Sequence, residues 1–276
     1  MKESFEEKKY APVGVFDSGV GGLTVAREIM RQLPQENIIY FGDTARVPYG
    51  SKSKETIIRY SRQIIHFLET MGVKAIVVAC NTASAFALEV IRPEMKMPII
   101  GVVKPGAKVA AETTRNGRIG IIGTEGTVGS QIYTEMIHRH NPGAVVLGKA
   151  CPLFVPLVEE GWLKDSVTIE VARRYLLAFQ ESNIDTLILG CTHYPLLRST
   201  IRDIMGDEVN LVNPAYETAQ GLKRLLKEYQ IANDGKQGFF AEYQFYVSDA
   251  AEKFKNFANS ILPCEIKEAQ LIHIEE

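Results

Sequence analysis

The chain has no apolar run approaching the roughly 18–20 residues needed to span a bilayer. Its first ten residues, MKESFEEKKY, lack the apolar centre of a secretory signal. Both absences predict a cytoplasmic protein with no membrane partner. Charge of one sign is also missing: 31 Lys+Arg stand against 33 Asp+Glu, a net charge near −2. Basic residues do not cluster with aromatics, so no nucleic-acid partner is expected. Cysteine is scarce. Cys80, Cys151, Cys191 and Cys264 include no CxxC pair, which argues against the common zinc and redox patterns. In a reducing compartment such thiols are expected to be catalytic, ligating or buried rather than bridged. His66, His138, His140 and His273 form no ligand-spaced group, and no metal is expected. Phosphate-loop signatures are absent too: GVGGLT at 19–24 is not GxGxxG, and no GK[ST] follows it.

What remains is an ordinary globular composition, 46% hydrophobic and 23% charged over 276 residues, enough for one large domain or two small ones. Short β-branched runs recur at 13–17, 37–42, 75–80, 98–103, 118–123, 144–149, 186–191 and 209–213. Most are apolar without alternation, as in strands covered on both faces. Amphipathic stretches at 22–33, 54–71 and 167–182 separate them. Strand and helix in turn predict an α/β fold with parallel sheets.

The order of these runs predicts a duplication. GVFDSG and IGIIGT each lead into a helix, a further strand, and then a strand ending in cysteine. Asp17 precedes Cys80 by 63 residues, and Gly123 precedes Cys191 by 68. The expected architecture is two similar parallel-sheet α/β domains related by pseudo-duplication, with the site at their interface. The first domain spans 1–103 and a returning segment 214–276, beginning with a helix over 216–230; the second spans 104–213. The split falls near VVKPGAK at 102–108.

Ligands of open α/β sheets bind beyond the carboxyl ends of the strands. Both VVACNTAS and ILGCTHYP aim a thiol there, as do Asp17, Ser18 and the TEGT loop at 124–127. Cys80 is followed by Asn81, Thr82 and a helical stretch; Cys191 by Thr192, His193 and Pro195. Each sulfur is therefore expected at a helix N-terminus, whose dipole lowers a thiol pKa. Either cysteine alone reads equally well as a packed, inert thiol. Two in matching positions with polar neighbours favour function. Asp17 is read as a proton-transfer group or an N-cap, and VPYGSKS at 47–53 as an amide-rich turn or a plain loop. Glu159 reads from its position as a solvated side chain, and Cys151 and Cys264 as structural.

Two thiols facing one small ligand suit inversion of a stereocentre beside a carboxylate. One removes a proton from one face and the other returns a proton to the opposite face. Without a cofactor, the carbanion must be stabilised electrostatically.

GVFDSGVGGLTV, YFGDTARVPYG, VVACNTASA and LILGCTHYPLL resemble, in order and spacing, the motifs of the glutamate racemases, cofactor-independent members of the aspartate/glutamate racemase family. The likeness runs from about Val13 to the VNP segment at 212–214 and weakens in the tail. It implies an isomerase that makes D-glutamate for peptidoglycan, and so for cell-wall biogenesis and cell shape. By position, Cys80 resembles the thiol acting on the D-enantiomer and Cys191 the one acting on the L-enantiomer. Asp17 and His193 resemble the auxiliary acid–base residues, and Glu159 matches a further carboxylate in the PLVExG pattern, against its reading as solvated. Substrate contacts are implied for Asp17, Ser18, Tyr49, Gly50, Asn81, Thr82, Thr192 and His193. The family implies no cofactor and no metal, and commonly a homodimer. Two alternatives stay open: an aspartate or hydantoin racemase of the same two-thiol type, and a non-catalytic two-lobed binding protein. The VPYG segment favours glutamate by resemblance.

Overall fold

The computed structural model describes residues 5–235 and 239–274; the ends of the charged N-terminal stretch and of the C-terminal segment lie outside them. Among the described residues, ten parallel strands form two sheets. The first contains β1 (Val13–Asp17), β2 (Ile38–Gly42), β3 (Ala75–Val78) and β4 (Ile99–Gly101). The second contains β5 (Arg118–Gly123), β6 (Val145–Ala150), β7 (Thr186–Gly190) and β8 (Asn210–Val212). Strand order is β2-β1-β3-β4 in one and β6-β5-β7-β8 in the other, the same four-strand winding twice. Late in the chain, β9 (Tyr243–Val247) and β10 (Gln270–Leu271) extend the first sheet beyond β2.

Every residue of β1, β2 and β7 is buried because helices cover both faces of each sheet. Val13 and Val15 enter one apolar cluster and Phe16 the cluster on the opposite face, as strand alternation requires. The edge strand β6 departs from that pattern: Val145 is exposed and Val146 and Leu147 are only half-buried.

Helix starts follow local capping chemistry. Ser53 Oγ accepts from the Thr56 N–H at 3.3 Å and opens the helix Lys54–Thr70. Asp165 Oδ1 accepts from Val167 N–H at 2.8 Å and opens Ser166–Glu181. Asn213 Oδ1 accepts from Ala215 N–H at 3.1 Å with Pro214 in the first turn. That cap begins the helix Pro214–Glu228 two residues before the sequence expectation.

The segment VVKPGAK, near which the expected split falls, is a helix start. The strand ends at Gly101, and the helix Val103–Thr113 begins at once. Pro105 sits in its first turn, where N–H groups have no intrahelical partner to lose. Pro214–Glu228 packs against both this helix and Leu23–Gln32, so one helix touches the covering layers of both sheets.

Candidate active site

Strand order 2-1-3-4 reverses direction between its two central strands, and the crevice at that switch point is where such sheets bind ligands. The fold has two switch points, β1/β3 and β5/β7. Asp17 ends β1 and Cys80 follows β3; Thr124 follows β5 and Cys191 follows β7. The two crevices face each other across one cavity of about 230 Å³, lined by both thiols.

Cys80 holds the N-cap position of the helix Asn81–Phe86, and its sulfur lies 3.6 Å from Ser18 Oγ. Burial, reinforced by the charge of Asp17, pushes this thiol up to about 12. The sequence expectation of a dipole-lowered thiol fails here because a six-residue helix offers less than desolvation takes away. Asp17 is fully buried, and burial raises its carboxyl, against the charge of His193 and the N–H groups of Gly22, Gly19 and Ser18. Its Oδ2 accepts from Gly19 N–H at 3.0 Å.

On the other wall, the Cys191 sulfur faces His193 Nδ1 at 3.8 Å. The expected helix after Cys191 starts as a 3₁₀ turn, Tyr194–Leu197, with Pro195 inside it, and becomes Arg198–Met205. His193 Nε2 meets Glu159 Oε1 at 3.1 Å. Burial disfavours the imidazolium, but hydrogen bonds to Cys191 and Glu159 and the charges of Cys191 and Asp17 prevail and hold His193 up at about 10. The same bond to His193 holds the Glu159 carboxyl low against its partial burial. Glu159 therefore belongs to the cavity wall.

The remaining residues anticipated from the sequence meet here too. Tyr49 donates from its hydroxyl to Asp43, a fully buried carboxylate that also accepts from Arg46 Nε at 2.7 Å and Ser248 Oγ at 2.9 Å. Gly50 lies against Thr124, so close that a Cβ there would stand 2.7 Å from the Thr124 Cβ. Thr82 Oγ1 lies 2.9 Å from Thr124 Oγ1. Asn81 Oδ1 accepts from the Tyr133 hydroxyl at 2.7 Å, and Thr24 Oγ1 donates to the Thr192 carbonyl at 2.8 Å.

Sequence reasoning missed Gly19, Val47, Pro48, Val155 and Pro156, which line the cavity, and Tyr133 and Thr24, which brace it. Val47 and Pro48 lie inside the VPYGSKS turn, where only Tyr49 and Gly50 carry a role by resemblance; Val155 and Pro156 are apolar residues with no chemical signature. Cys151 is buried with its sulfur on the Lys149 carbonyl at 3.6 Å, and Cys264 is half-buried in the tail. Among the described residues, no group of three or more His, Cys, Asp or Glu could hold a metal ion, and no helix is long and apolar enough to cross a membrane.

The model of the Asp/Glu/Hydantoin racemase family matches residues 14–220. A glutamate racemase of Geobacter metallireducens is 48% identical over 264 residues, covering 95% of this chain and 97% of that protein. One from Neisseria meningitidis is also 48% identical, with the same coverage. Among solved structures, the glutamate racemase RacE1 of Bacillus anthracis aligns at TM-score 0.91 with 38% identity, over 97% of this chain and 98% of that one. The aspartate racemase of Picrophilus torridus, 18% identical at TM-score 0.55 over 81% of this chain and 99% of that one, shares the fold. With its repeated winding, its paired thiols and these relatives, the chain belongs to the Asp/Glu/Hydantoin racemase family and is an amino-acid racemase, an isomerase.

Proposed function

We propose that the protein interconverts L- and D-glutamate by two-base proton transfer at the α-carbon, with Cys80 and Cys191 as the bases and no cofactor or metal. The observation that carries this reading is that the two thiols line one small cavity from equivalent strand ends of two different sheets. From L-glutamate, Cys191 as thiolate takes the α-proton while the Cys80 thiol delivers its proton to the opposite face. The cycle leaves Cys191 as thiol and Cys80 as thiolate, and D-glutamate runs it backwards. An imidazolium at His193, beside the Cys191 sulfur and backed by Glu159, supports negative charge on that wall. Asp17 assists proton transfer beside Cys80. Ser18, Tyr49, Gly50, Asn81, Thr82, Thr192 and His193 hold the substrate.

Glutamate is preferred to aspartate or a hydantoin because the relatives at 45–48% identity carry the name glutamate racemase. The two domains, 1–103 with 214–276 and 104–213, are the two walls of the site. The product supplies D-glutamate to cytoplasmic peptidoglycan synthesis, and the working form is a homodimer. Incubation of the reduced protein with L-glutamate in deuterium oxide, without additives, tests the reaction. Loss of optical rotation with deuterium entering the α-carbon is expected; an unchanged signal from folded protein would reject glutamate as substrate.

A further inference from the structure

Each thiol loop is braced from the opposite sheet. Asn81 follows Cys80 in the first lobe, and its Oδ1 accepts from the hydroxyl of Tyr133, on the helix Ile132–His140 that covers the second sheet, at 2.7 Å. Thr192 follows Cys191 in the second lobe, and its carbonyl accepts from Thr24, on the helix Leu23–Gln32 of the first sheet, at 2.8 Å. Tyr133 is 2% exposed and Thr24 is fully buried, so water does not compete for either bond. The Tyr133 ring also packs against Gly190, at the end of the strand that precedes the second thiol, since a Cβ there would stand 3.4 Å from it. The pattern is reciprocal: residue next to thiol, held by the other lobe.

We propose that Tyr133 and Thr24 are positioning residues, each fixing the angle at which the thiol loop of the opposite lobe faces the cavity. The inference rests on the two-thiol reading above. A loop carrying a reacting sulfur gains from such bracing because misplacement by about 1 Å can cost about 100-fold in rate. A hydroxyl bond from the other lobe also lets each loop be set only when the lobes are together, which ties thiol alignment to site assembly.

The test is Tyr133→Phe and Thr24→Val, with Thr24→Ser as the variant that keeps the hydroxyl. Two readouts are used: kcat and KM from each glutamate enantiomer, and site-resolved alkylation rates of the cysteines by iodoacetamide without substrate. Expected for Tyr133→Phe is a kcat fall of tenfold or more with KM within twofold, and an alkylation rate changed at least threefold at Cys80 with Cys191 unaffected. Thr24→Val should change Cys191 and spare Cys80, and Thr24→Ser should restore both readouts. Alkylation rates unchanged at both thiols, or altered equally at every cysteine alongside a lower melting temperature, would overturn the proposal. Site-selective alkylation from a protein inert toward glutamate would uphold the bracing and reject the substrate reading instead.

Discussion

Glu159 Oε1 lies 3.1 Å from His193 Nε2, and the other ring nitrogen of His193 faces the Cys191 sulfur at 3.8 Å. One imidazole thus links a carboxylate to a thiol, and its charge state governs that wall of the cavity.

His193 sits at about 10 in the folded protein against an ordinary 6.5. A raised value means the imidazolium stabilises the fold fully below pH 6.5, and that contribution is lost as pH rises toward 10. Activity that needs the cation should fall through the same alkaline window. Glu159→Gln removes the carboxylate charge, so the alkaline limb of kcat/KM should move to lower pH. Rate profiles from pH 7 upward, with the ring followed by NMR, check this. A limb that stays in place in Glu159→Gln would dissociate Glu159 from the titration.

Cys80→Ala and Cys191→Ala should each lower racemisation by about 1,000-fold or more, since a positioned acid or base contributes about 10²–10⁴. Neither should unfold the chain, because each removes a single sulfur at a cavity wall. Rates by polarimetry and melting curves by circular dichroism provide the check. Near-normal racemisation in either variant would defeat the two-base assignment. Serine in place of one thiol should leave weak activity, a hydroxyl being a far poorer base.

Gly21 approaches the second lobe more closely than any side chain allows. A Cβ there would lie 2.3 Å from Thr192 Oγ1 and 2.5 Å from the His193 ring. Gly21→Ala must therefore shift Thr192 and His193, and kcat/KM should fall by about 100-fold. Steady-state kinetics beside a chemical-denaturation curve separates this from loss of fold.

Asp43 anchors the Tyr49 wall, and its side chain is fully buried against Arg46, which stacks 4.0 Å over the Tyr60 ring. Asp43→Ala leaves that guanidinium without its buried partner, which costs about 3–5 kcal/mol. Urea denaturation should show the loss, and KM should rise as Tyr49 loses its acceptor. A stability change below about 1 kcal/mol would mean that solvent replaces the pair.

Much of the arrangement was legible in the chain. Continuous apolar runs place the first eight strands within two residues of their ends, because burial on both faces leaves no other composition. β9 and β10 were not identified. YQFYV alternates weakly, and a two-residue strand has no pattern of its own. Cys80 and Cys191 were found because cysteine with polar neighbours at a strand end is chemically conspicuous. Glu159 was not distinguishable from a solvated glutamate without the family resemblance, since its partner His193 lies 34 positions away.

The repeated winding, the place of each thiol at a strand end, and the type of chemistry those groups can do are all readable in the order of residues. These follow from local rules of periodicity, capping and side-chain reactivity. The titration of Cys80 and His193, and what holds the thiol loops, depend on the assembled fold. Cys80 is raised because burial outweighs the helix terminus, and His193 is raised because Glu159 and Cys191 reach it from distant parts of the chain. Tyr133 and Thr24 became visible only when two sheets were set face to face. Desolvation and cross-lobe hydrogen bonds depend on distances in space, and no local pattern of residues encodes those.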